Sequence, residues 1–388
     1  MKRALFFILT FCFSAVFSQN KNLGFFYVKT NDSLPFLKYG LGEDRLGGAK
    51  MTFLDSNILL KVIDSFKSDY KVQLSELHSA FIEKRKVIKA PKTNTNAHLT
   101  DSWKVYGDSL FDYVTIQLDE KLPYTSIMQI LPSRIAIDIF GATSNTNWIT
   151  QLSSVKEIKN AWYEQIENDV MRVYIELKHS QHWGYHIFYN DLNQLTVRVN
   201  RQPKILKINK LLIAIDAGHG GSNIGTDGID TNVKEKVYTL LIAKELEKAL
   251  LAKKAKVVMT RASDTTLSMP ERLLFLQQQN PDLLVSIHLN SSSRDTVHGV
   301  STYYRYIGFR PLSVAILHSM LWQTGLTEFG NIGSFNFSLS GPTEYPNCLV
   351  EVAFLSNKND EKKVLNSKFQ KLVAKRIVAG IEDFLKKL

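Results

Sequence analysis

The chain has 388 residues, 44% of them hydrophobic and 22% charged, an ordinary globular composition long enough for two or three domains. Its formal net charge of +11 points to an anionic partner or surface. The basic residues are spread along the chain without an Arg-rich tract or an aromatic-basic RNA motif, which sets nucleic acid aside and leaves anionic lipid or cell-wall polymer.

In chain order, MKRALFFILTFCFSAVFSQ comes first and reads as a secretory signal over residues 1–18. Lys2 and Arg3 form its charged start. The run from Ala4 to Phe17 is too short to span a bilayer comfortably, and Val16 and Ser18 are small enough to place cleavage after Ser18. The alternative is an uncleaved anchor. Cleavage implies export across the inner membrane to the periplasm or cell envelope, with no transmembrane segment remaining. Phe11 is too bulky for a lipobox before Cys12. Loss of Cys12 would leave Cys348 alone, which excludes an internal disulfide and a thiolate metal site.

Residues 20–92 hold short β-like runs broken by turn residues, among them FFYV, KMTFL, ILLKVIDSF, YKVQL and SAFIEKRKVI. The segment from AKMTFL to SAFIEKRKVI resembles a bacterial SH3-like domain. PKTNTNAHLTD, residues 91–101, reads as a linker. Residues 103–200 alternate again, in YVTIQL, SRIAIDIFG, VMRVYIEL, YHIFY and QLTVRV. In SRIAIDIFG, Ile135, Ile137 and Ile139 share one face while Arg134, Ala136 and Asp138 share the other, the period of a half-buried strand. This patterning predicts an antiparallel β-sandwich. The order of the runs and the phrase RIAIDIFGA resemble the AMIN domain that precedes bacterial cell-wall amidases, which implies binding to the wall.

From Leu211 onward, LLIAID, KVVMTR, LLVSIHL, GVSTYY and CLVEVAFL read as strands. They alternate with helices over VKEKVYTLLIAKELEKALLAKK, MPERLLFLQQQ, RPLSVAILHSMLW and KFQKLVAKRIVAGIEDFLKKL. The expected fold class is therefore multidomain: N-terminal all-β domains followed over 209–388 by an α/β domain, its mostly parallel sheet covered by helices.

Four residues of this last region stand where only chemistry or a specific partner justifies them. His219, in DAGHGG, follows the first strand, at the end where α/β sheets gather ligands. Glu235 falls inside the apolar stripe Tyr238, Ile242, Leu246, Ala249 of the first helix, and an inward acid is costly unless paired or bound to metal. His288 closes the buried run LLVSIH, with Asn290 two residues on, able to hydrogen-bond a ligand or substrate. Glu351 interrupts CLVEVAFL, where burial should raise its pKa as a general base or acid requires. Taken singly, a polar loop histidine, a helix-start carboxylate, a satisfied core histidine and a structural ion pair remain alternatives. Taken together, two imidazoles and one carboxylate form the ligand set of hydrolytic zinc sites, with a second glutamate left to carry the proton.

The motifs IAIDAGHGG, KEKVYTL, VSIHLN, GVSTYY and LVEVAFLSN, in that order, resemble the zinc-dependent N-acetylmuramoyl-L-alanine amidases of the amidase_3 family over about 211–388. The resemblance implies that His219, Glu235 and His288 bind Zn2+ and that Glu351 is catalytic. It also implies that peptidoglycan is the partner, cut at the amide between N-acetylmuramic acid and L-alanine. Ala217 stands where the family often has proline. Gly341 and Pro342 stand near where many members carry an arginine. The interval between Tyr304 and Glu351 leaves no evident room for the inserted helix that blocks some members until an activator arrives, so an activator protein stays an open partner. Two other functions compete: an inactive wall-binding or scaffold protein, and a zinc peptidase acting on stem peptides.

Other candidates are weaker. His179, His182 and His186 cluster in KHSQHWGYH without a matching acid, as surface or strand-edge histidines would. Trp162 and Trp183 read as sandwich core or as sugar-stacking rings. His298 has no supporting context, His318 reads as helix packing, Cys348 as core, and the lysines of the last helix as its solvated face.

Overall fold

The computed structural model describes residues 24–41, 49–91 and 98–388. The expected signal at 1–18 lies outside the described residues, and so does most of the expected linker. The end of that linker is a strand: His98–Gly107 is one continuous β element. Its first half hides a period-two pattern in polar residues. His98 and Thr100 are buried and alternate with exposed Leu99 and Asp101, His98 Nδ1 lies 3.1 Å from Asp119 Oδ1, and Thr100 Oγ1 lies 3.0 Å from Thr146 Oγ1. Side-chain hydrogen bonds thus let polar residues take inward positions.

The first sheet is antiparallel throughout, in the order Lys50–Phe53, Phe36–Lys38, Ser79–Glu83, Asp69–Gln73, Leu59–Ser65, Phe26–Thr30, Val87–Lys89. Its inward residues Val28, Leu60, Val72 and Ile82 join the same apolar cluster as Ile116, Ile137 and Val197 of the following unit. The two β units therefore share one core.

That following unit is the expected sandwich. One sheet runs Tyr124–Ile130, Ser133–Phe140, Val170–Leu177, Ile158–Glu167, all antiparallel. The other runs His98–Gly107, Phe111–Leu118, Gln194–Asn200, Tyr185–Tyr189, with the short Ala142–Thr143 and Ile149–Gln151 parallel to its first strand. Ile135, Ile137 and Ile139 are fully buried, while Asp138 on the opposite face pairs with Arg172. Asp112 ties the unit together. Its fully buried carboxylate accepts the Lys156, Glu157 and Ile158 amides through Oδ2 (2.6–2.9 Å) and the Arg201 guanidinium through Oδ1.

The α/β domain has the sheet order Lys256–Met259, Leu212–Ala217, Leu283–Asn290, Asn347–Phe354, Val300–Tyr303, Glu328–Ile332. The first four strands are parallel. Val300–Tyr303 runs antiparallel to Asn347–Phe354, so the sheet is mostly parallel with a reversed edge. Helices α1 (Glu235–Ala252), α3 (Arg310–Leu321) and α5 (Ser367–Lys386) bury one face through Ile242, Leu246, Ile316, Ile377 and Ile381. Helix α2 (Met269–Gln279) covers the other with Leu273 and Leu276 against Ala214 and Leu284, and α4 (Lys358–Leu365) caps the end of the sheet's central strand. The inward side of α1 is Glu235, Thr239, Ile242, Ala243, Leu246 and Leu250, shifted from the expected stripe, with Tyr238 and Ala249 only partly buried. All five lysines of α5 and the two residues after it face solvent. Among the described residues no helix is long and apolar enough to cross a membrane.

The sandwich docks on the amino ends of the parallel strands. Tyr185 and Thr343 exchange hydrogen bonds (2.8 Å each), and Asn200 Nδ2 donates to Glu344 O. Trp183 is buried here against Phe384, whereas Trp162 lies half-buried on the outer face of its sheet, stacked on Tyr174 under Arg134. The expected alternative of Trp162 as core is thereby overturned, because its strand position points away from the inter-sheet space. Replacing Asp112 by alanine should cost about 3–5 kcal/mol, because Arg201 and three amides lose their buried acceptor. Denaturant unfolding of the full chain checks this.

Candidate metal centre

Leu212–Ala217 ends at the sheet's carboxyl edge and the chain turns through Gly218 and His219, the latter at φ 62°. Gly218 N donates to Ile287 O of the next strand at 3.0 Å, while the turn's carbonyls are taken up by side chains, Thr239 Oγ1 on Gly218 O (2.8 Å) and two buried arginines. Arg261 donates from Nε to Ala217 O (2.9 Å) and from Nη2 to Gly218 O (2.8 Å). Arg272 donates to Ala217 O (2.9 Å) and, through Nη2, to His219 O. Arg272 also pairs with Asp216, whose carboxylate accepts Ser286 Oγ at 2.6 Å and Thr260 Oγ1 at 2.7 Å. Burial alone would push the Asp216 carboxyl up, but the Arg272 charge, the nearby His288 and these hydroxyls hold it below the usual carboxylate range. The placement of Arg272 is itself encoded locally: Ser268 and Glu271 form a capping box, with Pro270 in the first turn, which starts α2 at the right height.

Glu235 is the first residue of α1 and 3% exposed. Its Oε1 lies 3.0 Å from His219 Nε2, 3.1 Å from His288 Nδ1 and 2.9 Å from the donating Leu289 amide. Its Oε2 accepts the Thr226 amide at 2.9 Å. Burial opposes the Glu235 charge, yet the hydrogen bonds and charge of the two imidazoles hold this carboxyl far below its ordinary range. Burial likewise opposes a charged His219, and the Glu235 bond and charge overcome it and raise its pKa. Asn223 Oδ1 lies 2.9 Å from His219 Nδ1 and, by accepting from it, leaves Nε2 to face the carboxylate.

Two features fit this set to a bound cation. The ligand atoms of His219, Glu235 and His288 all lie within 4.8 Å of one another. His288 Nε2 is buried without a hydrogen-bond partner, and two imidazoles converging on one carboxylate oxygen require either extra protons or a shared positive ion. Glycine clears the space: a Cβ on Gly218 would lie 2.5 Å from His288 Cε1, and one on Gly225 (φ 74°) 2.5 Å from Glu235 Oε2. Two nitrogens and a carboxylate oxygen suit a borderline divalent ion better than calcium or magnesium.

The three residues line a cavity of about 530 Å³ that also takes in Glu351 and Asn290. Glu351, half-buried, is the register partner of His288 on the adjacent parallel strand, so both side chains leave the same face. Asn290 Nδ2 lies 3.4 Å from Tyr303 Oη. Tyr303, Phe335, Phe337 and Leu349 form the apolar wall of the same cavity. All five site residues expected from sequence therefore meet in one pocket. Asp216, Arg261, Arg272 and the aromatic wall were not anticipated. The signal for Arg272 was its place beside Leu273 and Leu276 on the inward side of a helix.

The other candidates disperse. His179 pairs with Glu157, the buried His182 lies 2.8 Å from Gln129 O, and His186 pairs with Glu344, so the three share no common point. His318 is exposed on α3 instead of packed, since that helix buries Leu312, Ala315, Ile316 and Ser319. Cys348 is buried, and burial pushes its thiol up to about 12, the state of a core residue and not of a nucleophile.

Residues 213–383 match the family model described as N-acetylmuramoyl-L-alanine amidase (Amidase_3), and residues 101–199 match that of the AMIN domain. A probable cell wall amidase, LytH, of Staphylococcus saprophyticus is 32% identical over 192 residues, 49% of this chain and 64% of that one. LytH of Staphylococcus aureus is 30% identical over 174 residues, 44% and 57% of the two chains. The chain thus spans less than two thirds of the length of these relatives. Among solved structures, the catalytic domain of the amidase CwlV from Bacillus (Paenibacillus) polymyxa is 34% identical, covering 45% of this chain and 98% of that chain with a TM-score of 0.43. An amidase from Clostridium difficile 630 is 32% identical, covering 45% and 96%, with a TM-score of 0.43.

Gly218→Ala should push the His288 ring off its position and lower the metal bound per chain. Elemental analysis of the purified protein checks this, and undiminished metal would show that ring and turn can part without loss.

Proposed function

We propose that this chain, an Amidase_3 domain behind an AMIN domain, is a secreted zinc-dependent peptidoglycan hydrolase of the cell envelope. It would cut the amide between the lactyl group of N-acetylmuramic acid and the L-alanine of the stem peptide. The observation that carries this reading is the convergence of His219, Glu235, His288 and Glu351 on one open cavity.

His219, Glu235 and His288 would hold the ion, which when bound supplies a Lewis acid for the scissile carbonyl and an acidified water. The rest of the work falls to the chain. Glu351, on the strand beside His288, takes the proton of the attacking water and returns it to the alanine nitrogen, which is too basic to leave as an anion. Peptide and glycan then part as amine and acid. Asn290 offers an amide to the substrate, and its neighbour Tyr303 begins the apolar wall that limits water around the reacting bond. Asn223 and the Leu289 and Thr226 amides hold His219 and Glu235 in place. The AMIN domain, docked on the far side of the sheet, would hold the enzyme to the wall, and residues 1–18 would export it.

Glu351→Gln is expected to keep its zinc and lose about 10²–10⁴-fold in dye release from labelled sacculi. Turnover near wild type would remove Glu351 from the mechanism. His219→Ala and His288→Ala should lose metal as well as activity, and a chelator should abolish wild-type release until zinc is restored. Mass analysis of the released peptides separates this reaction from peptidase action, because only the amidase frees the alanine amine.

A further inference from the structure

The apolar wall of the pocket is not held by the α/β domain alone. Phe335 and Phe337 stand on the segment that follows the Glu328–Ile332 strand. Phe335 packs on Tyr303 with ring centroids 4.4 Å apart, and Phe337 meets the His288 ring edge-on at 5.4 Å. Asn336, between them, points the other way, and its Oδ1 accepts Arg305 Nη1 at 3.1 Å. The other end of that guanidinium crosses to the first β unit: Nη2 donates to Lys50 O at 2.7 Å and to Met51 O at 3.1 Å. Lys50 Nζ then returns to Ser338 Oγ at 3.3 Å, and Phe53 joins Phe337 and Leu339 in a small apolar cluster.

These contacts bracket the wall segment from both sides. Lys50–Phe53 is the edge strand of its sheet, and a register shift between Thr52 and Lys50 breaks the alternation of its carbonyls, so that Lys50 O and Met51 O can both face Arg305. A planar guanidinium spans two such carbonyls and a side-chain amide at once, which a flexible ammonium cannot match. Tyr303, Phe335 and Phe337 present rings to the cavity, a surface on which an apolar part of the substrate can pack.

We propose that the first β unit is a positioning element of the active site: through Arg305 and Asn336 its edge strand sets Phe335 and Phe337 for substrate binding. This rests on the amidase reading for its kinetic consequence but not for its structural one. Arg305 and Asn336 touch no reacting atom. Their effect runs through the wall, on binding more than on proton transfer.

The test uses the full chain carrying Arg305→Met, with Arg305→Lys as the conservative partner and Asn336→Ala as an independent break of the same link. Hydrogen exchange of the 333–341 amides should quicken about tenfold or more in Arg305→Met, with less change in Arg305→Lys. On a soluble muropeptide, KM should rise about tenfold while kcat stays within about twofold and zinc content is unchanged. The double variant Arg305→Met/Phe335→Leu should be scarcely worse than either single one, since both act on the same wall. Unchanged exchange in Arg305→Met and Asn336→Ala would overturn the proposal. So would a fall in kcat at constant KM in a folded, zinc-loaded variant. Should the wild type fail to cleave the muropeptide, the amidase reading falls, and the exchange experiment still decides whether the edge strand holds the wall.

Discussion

The Arg272–Asp216 pair, 1% exposed on both sides, is the contact on which the candidate site depends. A charge pair this deep pays a heavy desolvation cost and is no strong argument for stability. Its role is geometric. Together with Arg261, and with Thr239 Oγ1 on Gly218 O, it supplies side-chain donors to the Ala217–His219 carbonyls, and so fixes the turn at the end of the strand. It also joins three elements, the Leu212–Ala217 strand, α2 and, through Ser286, the strand that carries His288. Loss of either partner would leave a buried charge uncompensated beside the turn that carries His219.

Above this support, one carboxylate organises the site. Glu235 sits at the start of α1, where the helix dipole favours a negative charge, and takes two imidazoles and two backbone amides on its two oxygens. The parallel register then sets Glu351 beside His288. A slip of one residue between those strands would turn one of the two side chains to the opposite face, into the helical layer.

The remaining units meet the α/β domain away from the mouth of the pocket. The sandwich contacts residues 343 and 344, ahead of the Asn347–Phe354 strand, at the end of the sheet opposite the pocket. Among the described residues the first β unit meets the segment that carries the aromatic wall, through Arg305, Ser338 and Phe53. The two β units, joined through one core, thus meet the α/β domain at two different places.

Much of this was written in local pattern. Alternating isoleucines in SRIAIDIFG, apolar runs between helical stripes, and four polar residues at the wrong places for a core each carry their signal within a few positions, because strand period, helix period and the cost of a buried charge are local properties. So His219, Glu235, His288, Glu351 and Asn290 were legible as a set. The strand beginning at His98 was not, since its inward positions are polar and satisfied by Asp119 and Thr146 from elsewhere in the chain. Nor were Arg261 and Arg272, whose partners are carbonyls of a turn 44 and 55 residues earlier, nor the link from Lys50 to Asn336 through Arg305. Sequence alone determined which residues could do the chemistry. Only the tertiary structure decided what holds them, because a hydrogen bond or ion pair between distant segments leaves no periodic trace in either one.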